Sequence, residues 1–113
     1  MSLKLAARLV IVDSRKIADL QENDTAAHTL DISSFVPPAT LAVLILATRI
    51  SGTGLFYVFP KSHASRTYYA DVLTAGGPVV HPITNREIKW KNSVANDDWD
   101  LYLHGYFVQK RTR

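Results

Sequence analysis

The side chains in this chain that could do chemistry are four histidines, a run of acidic residues and a set of tyrosines. The histidines are His28, His63, His81 and His104. No two of them stand at H-x-H or H-x-x-x-H, spacings that turn two imidazoles toward one zinc ion. The chain has no cysteine. Disulfides, thiolate metal sites and a cysteine nucleophile therefore fall away. Ser51-Gly52-Thr53-Gly54 is glycine-rich but lies between two apolar segments. A phosphate loop opens a helix, so this one reads as a hairpin turn. No G-x-S-x-G elbow, Walker loop or dinucleotide fingerprint is present. A Ser-His-Asp triad is a matter of geometry, and no spacing here marks one. Asn96-Asp97-Asp98-Trp99-Asp100 is the densest set of oxygen ligands. Calcium takes about six to eight oxygens, and this spacing does not match the loop of about twelve residues that supplies them. It reads as a turn whose Asx side chains bond their own backbone. The expectation is a protein with no catalytic residue, no metal and no cofactor, which is not an enzyme.

The elements that must position these residues are short and frequently interrupted. Pro37-Pro38, Ser51-Gly52-Thr53-Gly54, Pro60, Gly76-Gly77-Pro78, Pro82 and Asn96-Asp97-Asp98 break the chain at short intervals. Between them, His28 to Ile32 alternates, with Leu30 and Ile32 on one face. Leu41 to Ile50, Leu55 to Phe59 and Thr67 to Leu73 follow. Arg86 to Lys91 sets Ile88 and Trp90 inward and Glu87, Lys89 and Lys91 outward. Trp99 to Val108 sets Trp99, Leu101, Leu103 and Phe107 on one face. Leu9 to Val12 is a short β-branched run. Ser14 to Gln21 has an apolar face only two residues wide, Ile17 and Leu20, and reads as a loop with a short strand rather than a helix. Short strands between turn signals predict an all-β fold: an antiparallel, jelly-roll-like β-sandwich of about eight strands. With 113 residues, it forms a single domain over residues 1–113.

Composition narrows the partners. Hydrophobic residues make up 47% and charged residues 20% of the chain, a balance that supports a packed core and excludes disorder. The net charge is +3, with Lys110, Arg111 and Arg113 at the end. Basic residues interleave with tyrosines at Lys61, Arg66, Tyr68 and Tyr69, but this charge barely supports a nucleic-acid groove, so nucleic acid is not an expected partner. The longest apolar run, Leu41 to Ala47, is too short to span a bilayer, so no membrane insertion is expected. Met1-Ser2-Leu3-Lys4 does not open a secretory leader.

Two faces stand out as binding surfaces. Leu41 to Ala47 and Leu55 to Phe59 are apolar on both sides, where a half-exposed strand should alternate. Either the chain's own loops cover the second side or another copy does. The second reading predicts a homo-oligomer whose interface uses Leu44, Leu46, Phe56 and Val58. The last strand offers Tyr102, His104 and Tyr106 opposite its core residues, and Tyr69 is a further exposed aromatic. Such residues suit a protein or sugar partner, or stabilise a sheet as cross-strand pairs. Trp90 and Trp99 alternate with core positions and read as core.

Three stretches carry a resemblance. They are Leu30-Asp31-Ile32-Ser33-Ser34-Phe35-Val36-Pro37, the Ala42 to Leu46 strand, and Ile88-Lys89-Trp90-Lys91 leading to Leu101-Tyr102-Leu103-His104-Gly105-Tyr106. Together, over roughly the last three-quarters of the chain, they are similar to small β-sandwich domains of viral structural proteins, particularly phage tail or fibre types. The resemblance implies a non-enzymatic structural or attachment domain located in a virion. Its partners would be further copies, other virion proteins or a surface glycan. Similar patterns occur in jelly-roll carbohydrate-binding modules, which supplies the alternative function.

Overall fold

The computed structural model describes residues 7–59, 71–73 and 79–109. Eight strands follow in order: β1 (Ala7–Leu20), β2 (His28–Asp31), β3 (Ala42–Ser51), β4 (Phe56–Phe59), β5 (Asp71–Leu73), β6 (Val79–Pro82), β7 (Glu87–Asn92) and β8 (Asp98–Gln109). Among the described residues there is no helix, and so none long and apolar enough to cross a membrane.

The pairing has a simple logic. β1 pairs with β8, β2 with β7, β3 with β6 and β4 with β5, all antiparallel. The chain is thus a long ribbon doubled back on itself. Rolling the ribbon brings β3 against β8 and β4 against β7. The result is two four-stranded sheets, β1-β8-β3-β6 and β2-β7-β4-β5. This is the antiparallel jelly-roll sandwich expected from the strand count.

Alternation fills the space between the sheets. β7 buries Ile88, Trp90 and Asn92 and leaves Glu87, Lys89 and Lys91 partly exposed. β3 buries Val43, Ile45 and Ala47. Phe56 of β4 stacks on Trp90 of β7 at 5.8 Å, and lies 5.5 Å from Trp99 of β8 in the opposite sheet. These three rings join the layers. Phe56 and Val58 are both 0% exposed. That corrects the expectation that they form an oligomer interface. Val58 lies opposite Trp90, and Phe56 opposite Asn92, so the register of β4 on β7 commits both to the core. An all-apolar run such as Leu55 to Phe59 carries no parity of its own, and its neighbour decides which residues turn inward.

Turns complete the frame. Between β6 and β7, Asn85 and Arg86 both have positive φ, and the Glu87 N–H donates to the Thr84 carbonyl at 3.2 Å. Two left-handed residues in a row match the strand twist in a tight hairpin. At one end of the sandwich, the buried Asp97 carboxylate accepts the Gly54 N–H at 2.7 Å. Gly52 and Gly54 are required there. A Cβ at either position would stand 2.1 Å and 2.6 Å from the Asp97 carboxylate oxygens, and Gly52 has φ +113°. Asn96-Asp97-Asp98 is therefore a turn whose acid staples the β3–β4 turn to the β7–β8 turn.

Candidate assembly face

β3 divides its residues cleanly. Val43, Ile45 and Ala47 face the core, so Ala42, Leu44, Leu46 and Thr48 face outward. The register identifies what stands beside them. Ala42 lies opposite Phe107 on one side and Pro82 on the other, and Phe107 lies opposite Leu9. Leu44 lies between Gly105 and Val80, and Gly105 lies opposite Ile11. Two rows thus cross all four strands: Leu9–Phe107–Ala42–Pro82 and Ile11–Gly105–Leu44–Val80. Neither row contains a charged or hydrogen-bonding side chain. Ile11 is 68% exposed, Val80 53% and Leu9 40%. Single exposed apolar residues are ordinary, whereas a set contiguous across four strands is uncommon on a protein surface.

Beyond these rows the face changes character. The third row is Lys16–Tyr102–Leu46 and the fourth is Asp19–Asp100–Thr48. The Lys16 ammonium lies 2.6 Å from Asp19 and 3.3 Å from Asp100. The Lys16 hydrogen bond holds the Asp19 carboxyl below the usual carboxylate range. The Asp100 carboxyl is pushed above that range, first by its hydrogen bond with Asp19 and then by burial, with Lys16 opposing. One ammonium shared by two carboxyl groups leaves this strip with both signs of charge.

A β-bulge connects the two halves. Leu44 and Ile45 are consecutive on β3, yet they pair with Gly105 and Leu103 on β8. His104 is the extra residue. A bulge turns its two residues toward one side and reverses the alternation beyond it. Tyr106 therefore pairs with the buried Val43 and packs against the core, and Phe107 takes the outward place. This corrects the assignment of Tyr106 to a partner face and of Phe107 to the core. Gly105 allows the close approach: a Cβ there would stand 2.8 Å from the Val10 carbonyl oxygen. β1 answers with its own irregularity. Ile11 and Arg15 pair with Gly105 and Leu103, so Val12, Asp13 and Ser14 stand against His104 alone. Ser14 Oγ lies 3.4 Å from His104 Nε2. Among the described residues no carboxylate is hydrogen-bonded to His104, so this pair lacks the third member of a triad.

The sequence-derived sites are thereby regrouped. Leu44 and Leu46, expected at an oligomer interface, and Tyr102 and His104, expected on a partner face, share one surface. Phe56 and Val58 belong to the core, and the partly buried Tyr106 packs against it. Tyr69 lies outside the described residues. Leu9, Ile11, Phe107 and Val80 complete the surface and are not marked by alternation within their own segments. The signal for them is Gly105, since a glycine inside a strand often accompanies a bulge. Among the described residues no group of three or more His, Asp or Glu is placed to hold a metal ion. Compared with protein-family models, curated proteins and solved structures, the chain matches none of them.

Proposed function

We propose that this chain is a non-enzymatic structural or attachment domain, of the kind found in viral and phage particles. It self-associates through the outer face of the β1-β8-β3-β6 sheet. The observation that carries this reading is the pair of charge-free rows running across all four strands. The occupant is a second copy of the chain. A pleated apolar face is matched by another such face, packed about 10 Å away as in a sandwich. Copies that each carry a net charge of +3 repel one another except where that charge is absent. These rows hold none of it. The adjoining strip of Lys16, Asp19 and Asp100 carries both signs and so complements its own copy. The glycan-binding alternative has less support, because Tyr106 packs on the core.

Sedimentation equilibrium at micromolar concentration tests the reading. The expected result is an oligomer that Leu44→Glu converts to a folded monomer. A wild-type chain that stays monomeric to high concentration would overturn it.

A further inference from the structure

We propose that His104 gates this face: the copies associate while the imidazole is neutral and separate when it takes up a proton. This inference rests on the self-association reading. The residue is the extra one of the bulge, next to Gly105, which pairs with Leu44. It is half-buried, next to the two rows that carry no charge. Histidine is the side chain whose unperturbed charge change falls near neutral pH. A neutral imidazole can be covered by a docked copy, with Ser14 Oγ at 3.4 Å as its polar neighbour. An imidazolium in the same place would be a charge set beside the apolar rows, with no carboxylate bonded to it among the described residues.

The surroundings support that asymmetry. On the outward side, β3 presents Leu44 and Leu46, and β6 presents Val80, none of which can neutralise a cation. β1 contributes Ser14 and the exposed Asp13 nearby, then Lys16 and Asp19 farther along. β8 itself contributes Tyr102 and Asp100. Both aspartates of the strip are engaged by the Lys16 ammonium. The strip responds to acid with the opposite sign. A proton on Asp100 would reduce its charge and favour docking. The two effects are separable by substitution.

The test is sedimentation equilibrium at pH 7.5 and 5.5 on the wild type, His104→Gln, His104→Arg and Asp100→Asn. Circular dichroism on each reports whether the sandwich is intact. Acidification from about pH 7.5 to about 5.5 should weaken wild-type association by at least about tenfold. His104→Gln should associate equally at both pH values. His104→Arg should be a folded monomer at both. Asp100→Asn should keep the wild-type loss on acidification. An oligomer indifferent to pH, or a His104→Gln variant that still dissociates in acid, overturns the gate and leaves self-association standing. A wild type that is monomeric at pH 7.5 overturns both.

Discussion

The two outer faces of the sandwich are built on the same pleat and carry opposite chemistry. On the β2-β7-β4-β5 sheet, the outward positions among the side chains described include Thr29, Asp31, Tyr57, Glu87, Lys89 and Lys91. Lys91 lies over the Tyr57 ring at 5.5 Å. The register sets Thr29 beside Lys89 and Tyr57 beside Lys91. Such a face is already at ease in water. On the β1-β8-β3-β6 sheet, the matching positions hold Leu9, Ile11, Phe107, Ala42, Leu44 and Val80 before the charged strip begins. Each Å² of apolar surface removed from water is worth about 25 cal/mol. The second face therefore gains by being covered, and the first does not. The contrast teaches that the sandwich is sided: one layer turns charged side chains outward, and the other turns two charge-free rows outward.

The largest effect expected separates core from surface within the charged sheet. Phe56→Ala removes the ring that joins Trp90 to Trp99 and should cost about 3–5 kcal/mol of unfolding free energy. Tyr57→Ala, one residue along on the outer side, should cost under about 1 kcal/mol. Urea unfolding measures both. Equal losses would mean that β4 does not divide inside from outside as its register on β7 implies.

Next comes the comparison between the outer faces. Leu44→Glu places a charge in the middle of the apolar rows. It should weaken association by at least about a hundredfold, since a buried unpaired charge costs several kcal/mol. Its effect on the stability of the monomer should be small. Lys89→Glu changes charge on the other face and should leave the association constant within about threefold of wild type. Sedimentation of the two variants side by side reads the difference. Equal weakening by both would remove the sidedness.

Much of the fold was legible because alternation is a local property. Ile88 and Trp90 on β7, and Trp99, Leu101 and Leu103 on β8, are core as their spacing predicts. Leu44 and Leu46 were legible as apolar residues beyond what the core requires. What failed did so where local pattern and pairing part company. Beyond His104 the bulge exchanges the places of Tyr106 and Phe107, and a strict period of two cannot report that. β1 runs as one strand to Leu20, although Asp13-Ser14-Arg15-Lys16 interrupts its apolar pattern. Its register shifts there, and the pairing with β8 carries the strand through. The apolar face as a whole was illegible for a different reason. Its two rows draw residues from four strands spread over most of the chain, and only the register brings them together.

A smaller effect tests the staple between the loops. Asp97→Ala removes the acceptor of the buried Gly54 N–H and leaves that donor without its partner. The expected cost is about 1–3 kcal/mol. Asp97→Asn keeps an oxygen at the same place and should cost less. Neither should change the association constant measured on the folded protein, because the turn lies at an end of the sandwich and contributes nothing to the two apolar rows.

The smallest effect expected belongs to the strip where the apolar face ends. Asp100 has a carboxyl held above its ordinary range in the folded chain, chiefly by Asp19. A folded-state value above the unfolded one means that the native state binds the proton more tightly. Its contribution to stability therefore improves as pH falls through the raised value and is least favourable at neutral pH. Asp19 works the other way, because Lys16 lowers its value, and its contribution is lost as pH falls through the depressed value. Asp100→Asn should thus raise the thermal midpoint slightly at pH 7, and the gain should shrink toward pH 4. Asp19→Asn should lower the midpoint at pH 7, with the loss fading below the depressed value. Parallel thermal melts of the two variants across this range measure the signs. If both substitutions shifted the midpoint in the same direction at pH 7, the Lys16 ammonium would not be divided between the carboxyl groups in the way their geometry indicates.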